Sequence, residues 1–186
     1  MKFTHHLSRR LAVGIGLAAS AILLPTAALA AGAGPIASSR PASIPKCVAA
    51  HTTVWLGWPG DGSAGHFTYQ VQISNVGKAS CTLRGYPGVS GLNSGGKQVG
   101  LPAGRTASTT PLVTLAPGAT AHAVLVITDP GALGCPILSA VTLRVYAPNQ
   151  AGANYVPLAF QVCKGKVSMN VDAVHPGAGI PGYTIS

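Results

Sequence analysis

Cysteine and histidine are the residue types in this chain that most readily take part in chemistry. The spacing of the cysteines favours a structural role for them over a reactive one. The four cysteines lie far apart, with no C-x-x-C pair and no neighbour at metal-ligand spacing. An even number of separated cysteines predicts two disulfides, for which three connectivities are possible. Sequential pairing closes two loops of moderate size, so we favour these pairs: Cys47–Cys81 and Cys135–Cys163.

A nucleophile with a neighbouring base occurs once, in the glycine-rich run of residues 62–66. Ser63 and His66 could act together, which makes a secreted hydrolase an alternative function. No G-x-S-x-G string accompanies them, so a loop between two strands is the simpler interpretation.

Paired-carboxylate chemistry has few candidate residues in this chain. Glycoside hydrolysis needs two acids across one sugar bond, and the chain has only three aspartates and no glutamate from which to supply them. Asp61 and Asp129 stand beside Pro-Gly pairs, which predicts turns at both positions. We therefore predict no catalytic residue and no enzyme activity.

The histidines beyond the first 30 residues form no H-x-H or H-x-x-x-H pair, so their spacing predicts no metal site and no cofactor. A site assembled by folding from His66, His122 and partners stays an alternative. Trp55 and Trp58 raise the possibility of sugar stacking, but packing in a core is the commoner use of such rings.

The elements that must position these residues are short strands. In residues 67–75, apolar Phe67, Tyr69, Val71 and Ile73 alternate with polar side chains, which indicates a strand with one buried face. Turn strings at 94–96 and 116–118 separate further apolar stretches, and outside the first 30 residues no helical period occurs. Nine or ten such strands predict an antiparallel β-sandwich, with a small barrel as the rival.

The two ends of the chain differ from its middle. Residues 1–30 have a basic start, an apolar stretch and the small-x-small residues Ala28 and Ala30, so the sequence predicts a signal peptide cleaved before Ala31. Residues 31–46 predict a flexible linker, 47–175 the β-sandwich domain and 176–186 a tail. The expected product is secreted or extracytoplasmic, loosely associated with the cell envelope, with no membrane span after cleavage.

The charge distribution excludes one class of partner. After the predicted signal, nine basic residues stand against three acidic ones, and the basic residues are scattered along the chain. A nucleic-acid surface concentrates Lys and Arg on one face, so no nucleic-acid binding is predicted. Weak attraction to anionic wall polymers fits this charge.

Two strings resemble a known family. One leads from Gly65-His66-Phe67 to S-N-V-G at residues 74–77, and the other is C-T-L-R-G-Y-P-G-V at residues 81–89. Together with Cys47 they resemble the domain of unknown function 4232 family, found in exported envelope proteins of high-GC Gram-positive bacteria. The resemblance implies an immunoglobulin-like sandwich of about eight to ten strands and implies no activity. Pro87-Gly88 in the second string predicts a type II turn with glycine at positive φ.

Export, a disulfide-stapled scaffold and the lack of a convincing catalytic set define the function that we predict. The chain is an exported, non-catalytic module that binds a protein, a glycan or an anionic wall polymer. The partner is an envelope component of unknown identity, and the module is expected to be monomeric. The hydrolase using Ser63 and His66 and the histidine metal site are the alternatives.

Overall fold

The computed structural model describes residues 43–180, except the side chains of residues 58–61 and 63. Within that range the regular elements are almost all strands, apart from one 3-10 turn at Ala49–His51 and one four-residue helix, α1 (Pro130–Leu133). The predicted all-β class is confirmed. None of the helical turns in this range is long and apolar enough to cross a bilayer. The predicted signal peptide, its cleavage residues and the linker up to residue 42 lie outside the described residues.

Twelve strands are present, more than the eight to ten predicted, because three of them are only two residues long. They are β1 (Thr52–Ser63), β2 (His66–Asn75), β3 (Cys81–Leu83), β4 (Gly88–Leu92), β5 (Gln98–Val99), β6 (Gly104–Arg105), β7 (Val113–Leu115), β8 (Thr120–Thr128), β9 (Ile137–Tyr146), β10 (Ala153–Cys163), β11 (Met169–Val171) and β12 (His175–Pro176).

The strands form three sheets that share one hydrophobic core. The largest has the order β1-β2-β8-β11-β6, with β12 also pairing with β8; the others are β10-β9-β4-β5 and β3-β7. Neighbouring strands run antiparallel except β11 and β6. A single buried cluster joins Leu125 of the first sheet, Leu143 of the second and Leu115 of the third. The immunoglobulin-like form of this arrangement stays a prediction.

Strand β2 shows why the alternating pattern produces this core. Val71 and Ile73 are fully buried, and the intervening Gln72 points to the opposite face of the sheet. Each apolar side chain that leaves water contributes about 1.5–3 kcal/mol to the burial free energy. The predicted hairpin at residues 94–96 is also present, because β4 and β5 pair across it.

Both disulfides join the pairs favoured by sequential spacing, and no cysteine of the described chain is free. Cys47–Cys81 also explains a difference from the predicted linker. Residues 45–47 run beside β3, with the Cys47 N–H donating to the Thr82 carbonyl at 3.0 Å and the Thr82 N–H to the Pro45 carbonyl at 2.9 Å. The last residues of the predicted linker are therefore part of the fold.

The prediction of a type II turn at Pro87-Gly88 is wrong. Gly88 begins β4 opposite Tyr146, and this pairing requires extended backbone. The positive φ belongs to Gly85, at 107°. The Tyr86 hydroxyl lies 2.8 Å from the Thr106 carbonyl oxygen and 2.7 Å from that of Ser108, and it can donate its proton to either. The family-like string therefore ties the segment before β4 to the segment after β6.

The turn predicted around Asp61 is also misplaced. Asp61 lies within β1, which continues to Ser63, and the chain reverses at residues 64 and 65. Gly-rich sequence does not by itself end a strand, since backbone pairing with β2 keeps this stretch extended through two register irregularities. Asp129, in contrast, does occupy a turn.

The part of the predicted tail that the structure describes, residues 176–180, belongs to the fold. Strand β12 pairs with β8, and the His122 Nδ1–H donates to the Gly177 carbonyl at 2.8 Å. The Gln72 side-chain amide donates to the carbonyl of Ala178, which is itself buried. The segment covers the polar face of β2 and β8, which explains how Gln72 can be fully buried there.

Candidate functional site

A cavity of about 270 Å³ opens between the largest sheet and the edge of the four-stranded sheet. We call it the aromatic slot. Its walls come from the start of β2, the end of β8, helix α1 and the second half of β10. The side chains that decide its chemistry are Phe67, Tyr69, Ile127, Asp129, Phe160 and Gln161.

The first wall is a continuation of the core-facing side of β2. Phe67 and Tyr69 share the face of buried Val71, and they lie opposite Ile127 and Leu125 of β8. Val71 is fully buried, whereas Phe67 keeps 49% of its surface exposed. The apolar face of the sheet therefore extends beyond the filled core, and the exposed ring of Phe67 stands at the mouth of the slot.

The second wall depends on an irregularity in β10. The register between β10 and β9 shifts between Pro157 and Phe160, and the ring of Phe160 packs partly against the core. A Cβ atom added at Gly91 of β4 would stand 3.1 Å from Cζ of this ring, so the missing side chain leaves room for it. Phe160 is thus held by its neighbours rather than free to swing away.

Helix α1 closes one end of the slot and is fastened on both sides. Asp129 caps the helix, accepting a hydrogen bond from the Gly131 N–H at 2.6 Å. Its own N–H donates to the Gly65 carbonyl at 2.8 Å, in the turn between β1 and β2. The Cys135–Cys163 disulfide then joins the end of the helical segment to the end of β10.

The electrostatics of the slot differ from those of the surrounding chain. Asp129 is the one ionisable carboxylate among its lining residues, and no Lys, Arg or His lines it. Residues 43–180 carry eight basic and three acidic side chains. The slot is therefore a small acidic, aromatic cavity in a cationic domain, and aromatic faces add further negative potential.

Ser63 and His66 are backbone partners in the structure, and the side chain of Ser63 lies outside the described atoms. They face each other at the end of the β1–β2 hairpin. The exposed His66 ring places Nδ1 3.2 Å from the Thr128 hydroxyl oxygen. The described partner of His66 is thus a hydroxyl group, whereas a hydrolase triad uses a carboxylate to orient its histidine.

The histidines named for a metal site do not converge. His66 lies opposite Thr128 and His122 opposite Gln72, so the two are six positions apart along β8, or about 20 Å at the rise of a strand. His122 instead meets His175, with ring centroids 6.0 Å apart. Among the described residues, no three His, Cys, Asp or Glu side chains are placed to hold a metal ion.

Trp55 is not among the residues that line the slot. Trp55 is half buried on β1 opposite Gln72, and its indole N–H donates to the Ser74 hydroxyl at 2.9 Å. The side chain of Trp58 lies outside the described atoms. The aromatic residues that do line a cavity, Phe67, Tyr69 and Phe160, were missed as a site, although the first two were correctly placed on the buried face of a strand.

A second cleft, of about 200 Å³, is lined by two of the scattered basic residues. Lys46 and Arg84 meet there beside Thr82 and Asn149, and no acidic residue lines it. The Arg84 guanidinium donates through Nε to the Thr110 carbonyl at 3.0 Å. This is the one place among the described cavities where sequence-distant basic side chains come together.

Fold and cavity together define a class: a disulfide-linked, antiparallel all-β domain with a small aromatic slot between its sheets. The chain belongs to the domain of unknown function 4232 family, whose model matches residues 47–175. The resemblance seen in the sequence is thereby confirmed. No curated protein and no solved structure shows significant similarity to the chain.

Proposed function

We propose that this protein is an exported, non-catalytic binding module of the cell envelope and that its ligand enters the aromatic slot. The observation that carries the proposal is the half-exposed ring of Phe67 on a face that is otherwise buried. A large apolar side chain in a preformed cavity gains free energy when a ligand covers it. The fastened helix α1 and the disulfide support the slot as a preformed site.

The experiment uses the gene product after export, with both disulfides formed and an N-terminus that we expect at Ala31. The immobilised protein is exposed to solubilised envelope of the producing cell and washed first at low and then at high salt. We expect captured material that survives high salt with the natural chain and is lost with Phe67→Ala. Tyr155→Ala is the matched control, since Tyr155 is 63% exposed and lines neither the slot nor the basic cleft. Equal capture by both variants, or no capture at all, would contradict the slot as the binding site.

The basic cleft favours a second candidate, an electrostatic contact with an anionic wall polymer. Lys46 and Arg84 would supply it without an acidic neighbour in the cleft. Such capture should be released by high salt, because exposed charges are screened within about 10 Å at 0.1 M ionic strength. The double variant Lys46→Gln and Arg84→Gln should abolish it and leave the salt-resistant fraction unchanged.

The non-catalytic part of the proposal has its own test. We expect a fluorophosphonate probe to leave Ser63 unlabelled, because the described hydrogen-bond partner of the His66 ring is the Thr128 hydroxyl and not a carboxylate. The probe reacts with activated serine hydroxyls, and intact mass after incubation reports one adduct per active site. Stoichiometric labelling that disappears in His66→Ala would overturn the proposal and restore the hydrolase.

A further inference from the structure

We infer that the ligand group taken by the aromatic slot is an organic cation, of the size of a trimethylammonium or primary ammonium head group. This inference rests on the proposed function, since it names the ligand class of the same slot. Three aromatic rings, those of Phe67, Tyr69 and Phe160, line the cavity. Ring faces attract cations, and several rings around one cavity form the usual cage for quaternary ammonium groups.

The charge of the slot points the same way. Asp129 is one of the lining residues, and its carboxylate accepts a hydrogen bond from the Gly131 N–H. The carboxylate would repel an anion, and it would add no charge attraction for a neutral ligand. A cation satisfies the carboxylate and the rings at once.

Two other aromatic rings of the described domain already lie against a basic side chain. Arg105 lies over the ring of Tyr86 and Arg144 over that of Tyr146, each 5.6 Å from the ring centroid. No basic side chain lines the slot, so its rings have no such partner among the lining residues. Among the described residues, Lys166 is the basic residue that contacts α1, where it donates to the Leu133 carbonyl at 2.9 Å, and it does not line the slot.

The size of the cavity sets the size of the group. About 270 Å³ is below the range of roughly 300–1,000 Å³ that accommodates drug-sized ligands. It suits a compact head group on a longer molecule better than a folded ligand. The slot is open at Phe67, so the rest of the molecule can continue into solvent.

The test compares choline with its neutral carbon isostere, in which a tert-butyl group replaces the trimethylammonium. Both are titrated into the exported, oxidised protein, and NMR shifts of slot residues give the dissociation constants. We expect choline to bind roughly tenfold more tightly, and Phe67→Leu, which keeps apolar volume without a ring face, to lose most of this preference.

Two charge variants complete the design. Asp129→Asn keeps a side chain that can cap α1 but removes the charge, so the preference for choline should fall severalfold. Asp172→Asn changes net charge equally at a residue that accepts from the Thr106 hydroxyl outside the slot, and it should leave the preference unchanged. Equal binding of both probes by the natural chain would contradict the inference that the ligand group is a cation, and it would leave the slot as a binding site. Absence of slot shifts with either probe would overturn the inference together with the site.

Discussion

Reduction of the two disulfides should lower the thermal unfolding midpoint of this domain by roughly 20 °C. The bridges join residues separated by 34 and 28 positions. Loop-closure entropy assigns each of them about 3.5–4 kcal/mol. Domains of this size have a free energy of unfolding of only about 5–15 kcal/mol, so the loss of both bridges removes a large share of it. Differential scanning calorimetry with and without reductant measures the change.

Paired alanine variants separate the two bridges. Removing Cys47 with Cys81, or Cys135 with Cys163, should destabilise the domain by similar amounts, because the loop lengths are similar. Their effects on the slot should differ, since only the second bridge fastens helix α1 to β10. We expect choline binding to weaken severalfold in the second pair alone. An unchanged midpoint on reduction would show that the bridges are dispensable for stability.

Local patterns were sufficient to predict most of the strands. The alternation of residues 67–75 placed β2 and its apolar face correctly, because that face shows its period in the local sequence. The opposite face was expected to be solvated, but Gln72 on it is fully buried. The hairpin around residues 94–96 was equally local, since Asn93 Oδ1 accepts from two backbone N–H groups, those of Gly95 and Lys97, at 3.0 Å each. Both features depend on contacts within a few residues.

The slot could not be predicted because it is assembled from distant parts of the chain. Phe67 and Phe160 are separated by more than ninety residues, and their meeting depends on a register shift in β10 that no local signal announces. The prediction of a loose tail was wrong for a related reason. Residues 177–180 have the composition of a loose end, and only their contacts with Gln72 and His122 make them part of the fold.

The turn predicted in the family-like string was wrong because two glycines could supply its positive φ. Gly85 and Gly88 both stand within two residues of Pro87, and either can adopt positive φ. The pairing of Gly88 with Tyr146 across β4 and β9 decided between them, and that pairing is a tertiary contact. Turn chemistry narrowed the position of the positive φ to a short segment, and the neighbouring strand determined the residue.

The S-N-V-G string of the family resemblance has a structural role that yields the second large prediction. Asn75 is 1% exposed, and its Nδ2 group donates to the carbonyls of Ala79 at 2.9 Å and Leu115 at 3.0 Å. Its Oδ1 accepts from the Gly77 N–H at 2.9 Å. One side chain therefore satisfies three backbone groups, two in the loop after β2 and one at the end of β7.

Asn75→Ala is expected to lower the free energy of unfolding by about 3 kcal/mol, because a buried backbone group left without a partner costs about 1–3 kcal/mol. Asn75→Asp should be at least as damaging despite its equal size, since it replaces the donor by an oxygen facing two carbonyls.

Asn93→Ala is the matched control. It removes the same kind of turn bond from the surface hairpin, where water replaces the lost partner, and should cost less than about 1 kcal/mol. Equilibrium unfolding in urea with both disulfides intact gives the three values. If Asn75→Ala cost no more than Asn93→Ala, the loop after β2 would be held by its backbone contacts, and the S-N-V-G string would need another explanation.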